Sequence, residues 1–93
     1  MVISGKIKII LKPKDYYRIK SKVIIVAHNT SPEITVVIDQ VKAIITEVDN
    51  KLCHAAIIAR EYNIPILMGQ IGVIKKLKDG ASIKFDTDKK IIY

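Results

Sequence analysis

One cysteine, no tryptophan, aromatic residues at 5% and only two arginines are what this 93-residue chain has little of. Cys53 has no partner for an internal disulfide, which excludes a disulfide-stapled secreted domain and makes a reducing cytoplasm the expected compartment. One cysteine and two histidines, His28 and His54, make no recognisable metal-ligand set, so no metal is expected. The segment Met1 to Lys6 carries no basic stretch followed by an apolar one, and no apolar run approaches the ~18 residues of a membrane span. A soluble chain with no membrane partner is the expectation. Four glycines and three prolines, with no repeat or low-complexity tract, leave no room for a linker, and residues 1–93 are expected to form one domain.

What is present is a strongly patterned core former. Hydrophobic residues make up 49% of the chain and 20 of them are isoleucine. Surface scaling gives a folded area of roughly 5,400 Å² against roughly 15,000 Å² unfolded, enough burial for one core. Sixteen basic residues against nine acidic give a net charge of +7, nearly all of it lysine. Such charge suits a polyanion, yet lysines alternating with isoleucines also describe the wet side of a strand. Tyr16 and Tyr17 beside Arg18 could stack on bases, but few aromatics accompany the lysines and nucleic acid is not an expected partner.

Periodicity places the elements. Ile3 to Ile10 alternates with period two, as a half-buried strand does, and Lys12-Pro13-Lys14-Asp15 interrupts it. Val23 to Ala27 is an unbroken β-branched and apolar run, the pattern of a strand covered on both faces. After His28-Asn29-Thr30-Ser31, a short helix is expected from Pro32 or Glu33 to about Gln40, with Thr30 or Ser31 as its cap. Ala43 to Thr46 reads as a second buried strand and Glu47 to Leu52 as a polar connection. Cys53 to Tyr62 reads as the best helix, with positions 55, 58, 59 and 62 on one face. Asn63 ends it, Ile66 to Met68 is extended, and Ile71 to Leu77 has room for one or two helical turns before Lys78-Asp79-Gly80. Ala81 to Asp86 and Lys90 to Tyr93 read as a hairpin around Thr87-Asp88-Lys89. The expected class is α/β.

His54 is the residue with chemistry. It falls at the expected start of a helix, where free backbone N–H groups and the positive end of the helix dipole favour an anion. A neutral imidazole is a nucleophile near pH 7, and a phosphoryl group accepted there would lie beside those N–H donors. Taken alone, one histidine at a helix start is more often an ordinary surface residue. His28 is expected to be a surface residue, and Arg60, six positions further along the helix, to pack or pair with a neighbour.

The segment Thr46-Glu47-Val48-Asp49-Asn50-Lys51-Leu52-Cys53-His54-Ala55-Ala56-Ile57-Ile58-Ala59-Arg60-Glu61, with Ile64-Pro65 and Gly69 after it, resembles the phosphohistidine segment of the PEP-utilising enzyme mobile domain. Val23 to Ala27 with Thr30-Ser31-Pro32-Glu33, and Leu77-Lys78-Asp79-Gly80 with Ile91-Ile92-Tyr93, extend the likeness to nearly the whole chain. The resemblance implies a single swivelling β/β/α phosphohistidine domain in which His54 takes the phosphoryl group on Nε2 and a local hydrogen bond holds Nδ1. Cys53 matches the small residue before the histidine, and Thr35 and Thr46 are candidates for holding the ring. Asp49 and Asn50 stand where the family has Gly-Gly, two residues that tolerate left-handed backbone better than most. Leu52 stands where it has Thr. The resemblance further implies a stand-alone phosphocarrier, a phosphotransferase component serving ATP-grasp-type and PEP/pyruvate-barrel-type partner chains. This domain would bind no cofactor itself, with Mg and ATP or PEP held by the partners. The alternative is an interaction or regulatory module that kept the fold and lost phosphotransfer, as the changes at positions 49, 50 and 52 suggest.

Overall fold

In the computed structural model, which describes residues 1–93, six strands form one mixed sheet in the order β4-β3-β2-β1-β5-β6. β1 (Val2–Ile10), β2 (Val23–Ala27), β3 (Val41–Thr46) and β4 (Ile66–Leu67) run parallel, while β5 (Ser82–Asp86) and β6 (Ile91–Ile92) continue the sheet antiparallel from β1. Ile7 pairs with Ile24 across β1 and β2, and Ile25 with Ile44 across β2 and β3. α1 (His54–Glu61) and α2 (Val73–Lys76) are the α-helices, and neither is long and apolar enough to cross a membrane.

The β-branched run of β2 divides its side chains between two cores, as a doubly covered strand must. Ile25 and Ala27 join Tyr16, Ile34, Ile44, Ala55, Ile58 and Ala59 under α1, and Ile24 and Val26 join Ile7, Ile45, Leu67, Val73 and Phe85 under α2. The accessible surface, 5,647 Å², agrees with the expectation from chain mass.

Two connections differ from the expectation. Pro32–Gln40 is not a regular α-helix but two 3-10 pieces meeting at a kink, where Val37 has φ −117° and ψ 19°. Thr35, Val36 and Ile38 are β-branched and crowd the helix turn around it, and the last turn carries no basic residue. Pro13–Arg18, which reads as a break in the sequence, is a 3-10 turn. Asp15 pins its start by accepting the backbone N–H groups of Leu11 at 2.9 Å and Lys12 at 3.1 Å. α1 ends as expected: Asn63 adopts φ 53° and the Ile64 N–H returns to the Ala59 carbonyl at 2.9 Å, a Schellman-type closure.

Candidate functional site

Parallel strands leave their connecting loops at their carboxyl ends, where open α/β sheets gather ligands and chemistry. Here the carboxyl ends of β2, β3 and β4 deliver three loops to one edge: His28 to Ser31, Glu47 to Cys53, and Met68 to Gly72. They are tied together through the backbone. The Val48 N–H donates to the His28 carbonyl at 3.1 Å, and the N–H groups of Gly69 and Gln70 donate to the Val48 and Thr46 carbonyls at 3.1 and 3.0 Å.

His54 is the first residue of α1 and is half-buried. Its Nδ1 meets Thr30 Oγ1 at 2.7 Å, and no hydrogen bond engages its Nε2. When Nδ1–H donates to the Thr30 hydroxyl, the lone pair lies on Nε2, the nitrogen that faces away from the threonine. Thr30 itself is 8% exposed. Asn29 joins the two elements: its Oδ1 accepts the Thr30 N–H at 2.8 Å and the Ala55 N–H at 3.4 Å.

The first turn of α1 is built without a side-chain cap from its own neighbourhood. Cys53 is in the capping position with extended backbone, half-exposed, and its side chain makes no cap bond. The Cys53 carbonyl receives the Ile57 N–H at 3.1 Å, the first bond of the helix. Asn50 closes the preceding turn, accepting the Leu52 N–H on Oδ1 at 2.9 Å and the Cys53 N–H on its carbonyl at 3.0 Å. The amides of His54 and Ala56 find no backbone acceptor, so the helix start retains donors for an anion.

The hydroxyls expected to hold the ring are engaged elsewhere. Thr35 Oγ1 donates to the Pro32 carbonyl at 2.8 Å and Thr46 Oγ1, fully buried, donates to the Val48 carbonyl at 2.8 Å. Both threonines satisfy backbone within three residues of themselves. Thr30, expected as a helix cap, is the hydroxyl at the ring. Asp49 and Asn50 do not adopt left-handed backbone: the positive-φ residues outside glycine are Asn63 and Lys90. Asp49 instead lies against Gly69, whose φ is +76° and where an added Cβ would come within 3.0 Å of Asp49 Oδ2.

His28 does not share the site of His54. Its Nδ1 lies 3.0 Å from Glu47 Oε1, and the other carboxylate oxygen accepts the Ile74 N–H at 3.4 Å. Residues 28 and 47 continue the face of Val26 and Ile45 on the α2 side, whereas Thr30, in the loop beyond the end of β2, meets His54 of α1. The His28 contact, with the Ile74 N–H adding to it, holds the Glu47 carboxyl below the usual range. Arg60 takes part in no ion pair and, with Lys51, borders a shallow groove floored by Ala56, Ala59, Ile64, Ile66 and Met68. No group of three or more His, Cys, Asp or Glu side chains stands close enough to hold a metal ion.

Residues 19–90 match the family model described as "PEP-utilising enzyme, mobile domain". The chain belongs to this family. It is 34% identical over 92 residues to a probable phosphoenolpyruvate synthase of Archaeoglobus fulgidus, covering 99% of this chain and 12% of that protein. To a phosphoenolpyruvate-protein phosphotransferase of Mycoplasma pneumoniae it is 43% identical over 82 residues, 86% of this chain and 14% of the other. A solution structure of an Enzyme I protein superposes with a TM-score of 0.64 at 26% identity, over 81% of this chain and 31% of that one. The chain thus spans about an eighth of the length of these two curated relatives, one mobile domain's worth, and its mixed α/β fold is that of the Enzyme I domain.

Proposed function

We propose that this mobile domain carries a phosphoryl group on His54 Nε2, receiving it at one site and surrendering it at another, both outside these 93 residues. The observation that carries the reading is the 2.7 Å contact between Thr30 Oγ1 and His54 Nδ1 at the start of α1, with Nε2 unengaged. The names of the relatives, a phosphoenolpyruvate synthase and a phosphoenolpyruvate-protein phosphotransferase, support phosphoenolpyruvate-linked phosphoryl transfer, and this reading adds an ATP-grasp-type nucleotide site and a PEP/pyruvate-type barrel on partner polypeptide. Mg, ATP and PEP belong to those sites in this reading, and the side chains around His54 offer no metal-ligand set.

The step balances simply. The Nε2 lone pair attacks the phosphorus, the P–O bond to the donor breaks, and the donor oxygen keeps the electron pair. The ring then carries positive charge shared with Nδ1–H, which donates to Thr30, while the phosphoryl oxygens face the open amides of the helix start. Transfer onward reverses these events at the acceptor.

Incubation with labelled PEP or ATP, together with proteins supplying the nucleotide and pyruvate sites, should give an acid-labile adduct that is absent in His54→Ala. A label that persists in His54→Ala rejects the reading. A domain that kept the fold and lost phosphotransfer would bind its partners equally well as His54→Ala and give no phosphohistidine signal by phosphorus NMR from any donor.

A further inference from the structure

The hydroxyl that holds the His54 ring comes from the loop after β2, and the ring comes from α1, two elements 24 residues apart in sequence. Their alignment depends on something fixing the loop to the helix. Asn29 Oδ1 is the acceptor common to both, taking the Thr30 N–H at 2.8 Å and the Ala55 N–H at 3.4 Å. One of these donors belongs to the residue that holds the ring, and the other to the residue next to the histidine.

We propose that Asn29 is a positioning residue for His54, a latch that sets which ring nitrogen carries the proton. This rests on the reading of His54 as the phosphoryl carrier, and extends it to a residue that touches neither the ring nor the phosphoryl group.

A threonine hydroxyl can accept from Nδ1–H or donate to an unprotonated Nδ1, and only the first leaves the lone pair on Nε2. A hydroxyl oxygen held 2.7 Å from Nδ1 supplies the acceptor that the Nδ1–H tautomer needs, and it stays there only while the backbone of residue 30 and the first turn of α1 keep their alignment. Cys53 leaves the cap of α1 unmade, so Asn29 supplies an acceptor that the helix lacks locally. Asn29 is exposed, so removing its amide opens no hole in the core. A change at this position therefore reads out alignment rather than packing.

The test uses the folded chain and needs no partner protein. Nitrogen-15 NMR of the unphosphorylated protein reports the His54 tautomer directly from the two ring nitrogen shifts. Potassium phosphoramidate serves as donor: Nε2 attacks its phosphorus, the P–N bond breaks and ammonia leaves. In Asn29→Ala the Nδ1–H fraction should fall from a large majority toward an even mixture, and formation of the His54 adduct should slow about tenfold. Asn29→Asp keeps the acceptor oxygen and should restore the tautomer to within about twofold of the parent ratio. An unchanged tautomer in Asn29→Ala, or Asn29→Asp no better than Asn29→Ala, overturns the proposal. If the parent forms no adduct, the carrier reading is what fails, because the tautomer comparison needs no phosphorylation.

Discussion

An imidazole nucleophile needs its lone pair on the nitrogen that meets phosphorus, and a single hydroxyl at the other nitrogen favours this when it accepts a hydrogen bond from the N–H there. Thr30 has that role at 2.7 Å from His54 Nδ1. Thr30→Val keeps the volume of a residue that is 8% exposed and removes the hydroxyl. Losing a hydrogen bond worth about 1.5–3 kcal/mol to the cationic ring should slow adduct formation ten- to a hundredfold, while the fold persists. Time courses with phosphoramidate, read by phosphorus NMR, check this, and a rate within twofold of the parent contradicts it. His54 was legible from the sequence because a helix start announces itself locally. Thr30 was not, since a hydroxyl two positions before a proline looks like a cap for the helix that follows. Thr35 and Thr46 misled for the same reason in reverse: they look available in sequence, and each spends its hydroxyl on a nearby carbonyl.

At the scale of elements, strands were the legible part. The period-two run of β1 and the apolar run of β2 place both strands to within a residue. The short helix expected over Pro32–Gln40 from its proline start is present as two 3-10 pieces, because its β-branched residues favour a kinked 3-10 path. The loops at the site edge were least legible, because their shape is set across the sheet. Gly69 shows this: its φ of +76° and its closeness to Asp49 belong to the meeting of the β3 and β4 loops. Gly69→Ala should cost about 1–3 kcal/mol through left-handed strain and crowding of Asp49. For a domain of this size that lowers Tm by about 5–15 °C. Combining it with Asp49→Gly removes the crowding but leaves the strain, so thermal melts of the double variant should recover only part of the loss. Full recovery would mean that the backbone at position 69 is unstrained.

For the molecule as a whole, stability against pH follows from which carboxylates the fold has taken into its backbone. Asp15 is held low chiefly by the Leu11 N–H, with the Lys12 N–H adding to it, and Asp86 chiefly by the Asp88 N–H, with the Lys89 N–H adding. Glu47 is held low first by His28 and then by the N–H of Ile74. These three pin the end of β1, the turn between β5 and β6, and the β3 loop against α2. Each has a folded pKa below its unfolded value of ~3.9 for Asp or ~4.3 for Glu, so the unfolded chain binds protons first as acid is added. Their stabilisation is fully present above ~pH 5 and is lost as pH falls through the folded values. Tyr16 has the opposite sign. Burial pushes its phenol up to about 12, so its contribution is intact below ~pH 10 and is lost as pH rises through that value. The N-terminal amine is also held high, chiefly by its hydrogen bond to Asp88. Melting temperature should therefore hold a plateau from about pH 5 to about pH 8 and fall below it on the acid side. On the alkaline side it should decline as the amine loses its proton and fall further above about pH 10. Asp15→Asn, which keeps an acceptor oxygen for the two amides, should flatten the acid limb, and Tyr16→Phe should flatten the fall above about pH 10 without moving the acid limb. Thermal melts across this range decide it: an acid limb as steep in Asp15→Asn as in the parent assigns acid unfolding to other groups.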